Sequence, residues 1–130
     1  MNNQETFAGA FMFSLAIAVV LGAFGAHVLE AQISAMYIDI YETASFYHFV
    51  HSIGGLIVIK YLKSKAPNKI KTISIIFLLG ILLFSGSLYI LSIHEIFSAP
   101  SLRKLGAITP IGGLLFIIAW SYAGWLIVKK

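Results

Sequence analysis

"TISIIFLLGILLFSGSLYILSIH", residues 72–94, contains no charged side chain from its first residue to its last. As an α-helix at about 1.5 Å per residue it reaches roughly 34 Å, enough to cross a hydrocarbon core of about 30 Å. Outward from it, three more stretches lack charge: Phe7–Leu29, Thr43–Ile59 and Leu105–Val128. The second is short, and it extends through Lys60 because a lysine amine reaches the headgroups along its own stem. The whole chain agrees with this reading. Of its 130 residues 59% are hydrophobic and 11% charged, with a mean hydropathy of +0.92, whereas a water-soluble domain carries about 25% charged residues. The expected structure is an all-α integral membrane protein. It would form one transmembrane domain over 1–130, with four helices in an up-down bundle and spans at about 7–29, 41–62, 72–94 and 108–128.

The charges set the expected orientation. Lys60, Lys63, Lys65, Lys69 and Lys71 lie between spans two and three, and Lys129 and Lys130 end the chain. Only Arg103 and Lys104 follow span three, and the segment after span one holds Glu30, Asp39 and Glu42 with no lysine or arginine. Seven basic residues against two place both termini in the cytoplasm and the protein in the cytoplasmic membrane. The net charge of +4 is therefore read as a topology signal, with Lys60–Lys71 touching anionic lipid headgroups, and no nucleic-acid partner is expected. The opening "MNNQET" has Glu5 and no basic residue, so the first span is expected to persist rather than act as a cleaved signal. The chain has no cysteine, which excludes a disulfide framework, thiolate metal sites and dithiol redox chemistry.

Polar residues collect toward one end of the expected bundle. His27 ends span one, and Tyr41, Ser45, His48 and His51 lie on span two. Ser85, Tyr89 and Ser92 form an i, i+4, i+7 stripe on span three. At about 100° per residue Tyr41, Ala44, Ser45, His48, His51, Ser52 and Gly55 share one side of span two, opposite Phe46, Phe49, Ile53 and Leu56. His48 and His51, at i and i+3, have the spacing with which a helix presents two ligands to one neighbour. Ionisable groups within a membrane are functional candidates, so His27, His48, His51, Ser85 and Tyr89 form the candidate polar site. The competing reading keeps the histidines neutral and bonded to Ser85, Tyr89 or a backbone carbonyl. There is no close-spaced third ligand, and no metal or cofactor is assigned.

Small residues make a second pattern. Ser14, Ala18, Gly22 and Gly25 share a narrow face of span one, and small faces let backbones approach where water cannot drive association. Gly22, Gly25, Gly112 and Gly113 are accordingly expected to serve helix packing. In "TPIGG", residues 109–113, Thr109 suits an N-cap and Pro110 the first helical position. The preceding "FSAPSLRKLGA" is expected to be a loop with a short interfacial helix, and His94 and Glu95 are boundary residues. Tyr61, Trp120, Tyr122 and Trp125 are expected at the lysine-rich interface. "IGGL" occurs at both 53–56 and 111–114, a weak sign of duplication.

Together "LGAFGAH", "YETASFYHFVHSIGGL", "LLFSGSLYIL" and "ITPIGGLLFIIAW", in this order, resemble the DUF423 family of small four-span membrane proteins. The resemblance covers essentially the whole chain and implies a four-helix membrane fold; it carries over no catalytic residues. The family-like positions are Gly22, Gly25, His27, Tyr47, His51, Ser85, Gly86, Pro110, Gly112 and Gly113. His48 stands where the family pattern often has glutamine, which shifts interest from a His48–His51 pair toward His27 with His51.

The functional expectation is a non-enzymatic structural or accessory protein of the membrane, with the lipid bilayer, a second copy or a membrane-protein partner as its contacts. The alternative is a transporter or small-ligand binding protein with an outward-facing polar site around His27, His48 and His51, and a metal- or haem-binding role ranks below it.

Overall fold

The structure, a computed structural model, describes residues 2–129; Met1 and Lys130, one of the C-terminal lysines in the charge count, lie outside the described residues. Four long helices account for most of the chain: α1 (Asn3–Phe24), α2 (Ala35–Lys65), α3 (Ile70–Ile93) and α4 (Thr109–Val128). A π-helical turn, Gly25–Leu29, continues α1, and 3-10 segments at Pro67–Lys69 and Pro100–Ala107 precede α3 and α4. Helix α1 starts at a capping box, in which Asn2 Oδ1 accepts from the Glu5 N–H while the Glu5 carboxylate accepts from the Asn2 N–H.

Three segments are long and apolar enough to cross a membrane: Asn3–Leu29, Pro67–Ile93 and Pro100–Val128, with mean hydropathies of 2.3, 2.4 and 1.9. Helix α2 is the longest at 31 residues but is more polar, carrying Asp39, Glu42, His48 and His51 among its apolar residues. It also begins well before the expected span. The segment after α1 is a tight turn, and Tyr37 is already buried in α2. At about 46 Å, a 31-residue helix is longer than the hydrocarbon core, so an excess of several residues extends past it.

Helices α2 and α3 form the central pair. Successive contacts run in opposite directions along them, from Tyr37 with His94 through Tyr41 with Tyr89 to His51 with Phe77. Helix α1 lies on one flank of this pair and α4 on the other. One apolar core, including Phe11, Val58, Leu62, Ile73, Phe77 and Phe116, fills the lysine-rich end; Leu29, Ile33, Tyr37, Tyr41 and Tyr89 fill the opposite end. Between them sits a layer of buried polar side chains, with Ser52 and Ser85 fully buried and Ser14, His48 and His51 nearly so. The outer surface is apolar instead. Phe13, Val20, Phe46, Leu82 and Ile117 are each about two-thirds exposed, the reverse of a soluble fold and what a helix surface facing lipid requires.

Several local expectations are corrected. Thr109 is the first residue of α4 rather than its cap; its hydroxyl lies 2.7 Å from Ser87 Oγ, and Ile108 holds the cap position with no side-chain bond. His94 is buried, edge-on to Tyr37, with Nδ1 donating to the Leu91 carbonyl at 2.7 Å. Trp120, expected among the interfacial aromatics, also packs inward: its indole lies against Gly54 and edge-on to Phe77 while the residue stays 39% exposed, and Tyr61 and Trp125 are more exposed. The short helix expected before α4 is present as the 3-10 segment.

Candidate functional site

The candidate residues do not form one cluster. His27 is exposed on the π-helical turn, whereas His48 and His51 are buried in α2. Its depth suggested a shared site, but it lies two residues past the buried Gly25, roughly half a turn around the helix from the packing face. Leu29 is buried in its place. His27 is therefore not joined to His51.

His48 and His51 diverge as well. Three residues apart on α2, their side chains leave about 60° apart, enough for one to face the α1 flank and the other the α4 flank. His48 is fully engaged: Nε2 is 3.0 Å from Ser14 Oγ on α1, and Nδ1 is 3.3 Å from Tyr89 Oη on α3. Ser14 Oγ also lies 2.7 Å from Ser52 Oγ. One imidazole thus links three helices, and among the described residues no group of three His, Asp or Glu side chains is placed to hold a metal ion.

His51 faces the other way. Its ring is stacked on Phe116 with centroids 3.4 Å apart, and Nδ1 is 2.7 Å from the Tyr47 carbonyl one turn earlier. A carbonyl only accepts, so Nδ1 carries the proton, and in the neutral ring Nε2 is left as an acceptor. Nε2 has no hydrogen-bond donor among the described residues. His51 lines an open cavity of about 730 Å³ between α2, α3 and α4, together with Tyr47, Phe84, Phe116 and Trp120.

Ser85 and Tyr89 belong to the α1 flank. With Ser14 and His48 they line a second, smaller groove of about 500 Å³ whose walls are otherwise apolar. Ser85 Oγ is buried there without a hydrogen-bond partner, although a serine in a helix can bond back to the preceding turn.

The glycines divide by what a side chain would meet. At Gly25 a Cβ would overlap the Tyr41 ring, whose hydroxyl donates to the Leu21 carbonyl at 2.6 Å, so the missing side chain allows this contact. At Gly112 the obstacle is the Phe84 backbone, with Cα 2.8 Å away, which marks a very close approach of α3 and α4. Gly22 and Gly113 would place a Cβ at ordinary contact distances of 3.6 Å, so their packing does not demand glycine. Three more glycines receive aromatic rings: Gly54 receives Trp120, Gly55, on the expected inward side of α2, receives Phe11, and Gly80 receives Phe116. Both "GG" pairs were visible, but which aromatic ring each would receive is a property of neighbouring helices.

A family model described as "Protein of unknown function (DUF423)" matches residues 21–113, from the end of α1 through all of α2 and α3 to the first turn of α4. The chain belongs to the DUF423 family. It is 45% identical to the UPF0382 membrane protein YwdK of Bacillus subtilis over 106 residues, covering 80% of each chain. It is 42% identical to the UPF0382 membrane protein SSP2132 of Staphylococcus saprophyticus over 104 residues, 80% of this chain and 81% of that one. A UPF0382 membrane protein of Staphylococcus epidermidis, SERP0230, is 43% identical over 104 residues, covering 80% of each chain. No solved structure matches. In this DUF423 protein the matched segment holds His27, His48, His51, Ser85 and Tyr89, whereas Ser14, Phe116 and Trp120, which complete the two histidine environments, lie outside it.

Proposed function

We propose that this DUF423 protein is a four-span protein of the cytoplasmic membrane, up-down in topology with both termini cytoplasmic, and that it acts there as a non-enzymatic accessory component assembling with a second copy or another membrane protein. The observation carrying this reading is how its buried polar side chains are used. Ser14, His48, Ser52 and Tyr89 join α1, α2 and α3, and Tyr41 ties α2 to the α1 backbone. Such bonds hold helices together in lipid. Of the polar residues that keep α2 from qualifying as a span on hydropathy, His48, His51 and Ser52 are buried against its neighbours, while the exposed Asp39 and Glu42 lie in its first turns, and this supports α2 as the fourth span. Lys60, Lys63, Lys65, Lys69 and Lys71 would then lie against anionic headgroups on the cytoplasmic side.

Topology and assembly are tested together. A cysteine replacing Ser64 is expected to resist a membrane-impermeant maleimide in intact cells, and one replacing Ser98 to react; the opposite pattern overturns the orientation. Native electrophoresis of gently solubilised membranes is expected to show the protein well above its 14.2 kDa chain mass after correction for detergent. A monomer carrying only lipid and detergent overturns the accessory reading.

A further inference from the structure

We infer that the cavity between α2, α3 and α4 is a binding site for a lipid-soluble aromatic alcohol, whose ring hydroxyl donates a hydrogen bond to Nε2 of His51. This goes beyond the accessory role and does not depend on it. The His51 side chain is 5% exposed and faces a cavity of about 730 Å³. Its Nδ1 proton is committed to the Tyr47 carbonyl 2.7 Å away, so in the neutral ring Nε2 offers one lone pair and nothing else. An acceptor on a side chain that lines an open cavity, with no protein donor among the described residues, is suited to a ligand that brings the donor, since a lone pair left unpaired in an apolar setting is costly.

The walls specify the rest of the ligand. Tyr47, Phe84, Phe116 and Trp120 line the cavity with aromatic faces and edges, which favour a flat ring over a branched aliphatic body. Phe116 holds the imidazole in place by stacking at 3.4 Å, and Tyr47 lies nearly parallel on the same histidine at 5.5 Å. Leu114 and Ile117 at the rim are 56% and 65% exposed, so an alkyl chain on the ring leaves the cavity over aliphatic side chains directly into lipid. His48 offers no such site, because Ser14 and Tyr89 occupy both its nitrogens. Ring hydroxyls of this kind come from a simple alkylphenol or from the reduced form of a quinone, and both present the same donor.

The test uses the full-length protein in detergent with Trp125→Phe, leaving Trp120 at the cavity wall as the fluorophore. Titration with 4-hexylphenol is expected to quench Trp120 with an affinity about five- to tenfold higher than 4-hexylanisole, which has the same ring and chain but no hydroxyl proton. Equal affinities, or no saturable quenching by either, overturn the proposal without needing a variant. His51→Phe keeps a ring against Phe116 and removes the acceptor, so the preference is expected to fall to about one; a preference that survives in a folded His51→Phe protein also overturns it. A Soret band in the purified protein would assign Nε2 to haem iron and overturn it too. A short-chain benzoquinone, compared in its reduced and oxidised forms, identifies the source: preference for the reduced form extends the site to quinols, and its absence, with the phenol preference intact, confines the site to phenols.

Discussion

Helices α1 and α4 flank the same central pair but are attached by different forces. Helix α1 is held largely by hydrogen bonds. Ser14 bonds both His48 and Ser52, and the Leu21 carbonyl accepts from Tyr41, with Phe11 over Gly55 as the main shape contact. Helix α4 is held by interdigitation: Phe84 against Gly112, Phe116 against Gly80, Trp120 against Gly54 and the Phe116–His51 stack. Its side-chain hydrogen bond to the central pair is Thr109 to Ser87, at its first residue. In lipid the apolar solvent offers no hydrophobic drive between helices, so association must come from polar bonds or close van der Waals contact. This small protein uses one on each side. The consequence is an asymmetry in its histidines, because the bonded flank consumes the polar groups of His48 while the interdigitated flank leaves Nε2 of His51 free.

The comparison breaks most visibly at Gly112. A methyl there meets the Phe84 backbone, which cannot rotate away as a side chain can. Gly112→Ala is therefore expected to cost about 3 kcal/mol or more and to release α4, read as loss of the cooperative transition in denaturing-detergent titration. A cost below that of a mutation on the α1 flank would reverse the ranking of the two attachments. On that flank His48→Ala is expected to cost about 1–3 kcal/mol, because it removes the link between α1 and Tyr89 and leaves Ser14 with Ser52 alone. His48→Gln, with both a donor and an acceptor, should recover part of that loss in the same titration. The smallest effect has the opposite sign. Ser85 Oγ is already buried without a partner, so Ser85→Ala is expected to be neutral or to stabilise by about 0.5–1 kcal/mol. A clear destabilisation would mean that the hydroxyl has a bonding partner in the membrane.

The small-residue face of α1 was legible, since Ser14, Ala18 and Gly25 recur at helical spacing and are all buried. So was the side of α2 that packs, with Tyr41, Ala44, His48, His51, Ser52 and Gly55 buried and Phe46 and Ile53 exposed. His27 was misread because depth was allowed to stand in for direction. The rotation of roughly half a turn from Gly25 was available from the spacing alone. The roles of Phe116 and Trp120 were not available, because an aromatic residue on an apolar helix reads the same whether it meets lipid, a belt position or a glycine across the interface.

By itself the sequence determined that this is a membrane protein built from long apolar helices, because the bilayer requires only a sufficient run of uncharged residues in each span, and that is a one-dimensional property. It also determined which side of α2 turns inward, because helical period converts spacing into angle. What His48 and His51 would each touch was decided only by tertiary structure. An angle of about 60° becomes a difference in chemistry only when α1 stands on one side of α2 and α4 on the other, with a serine on the first and a phenylalanine on the second.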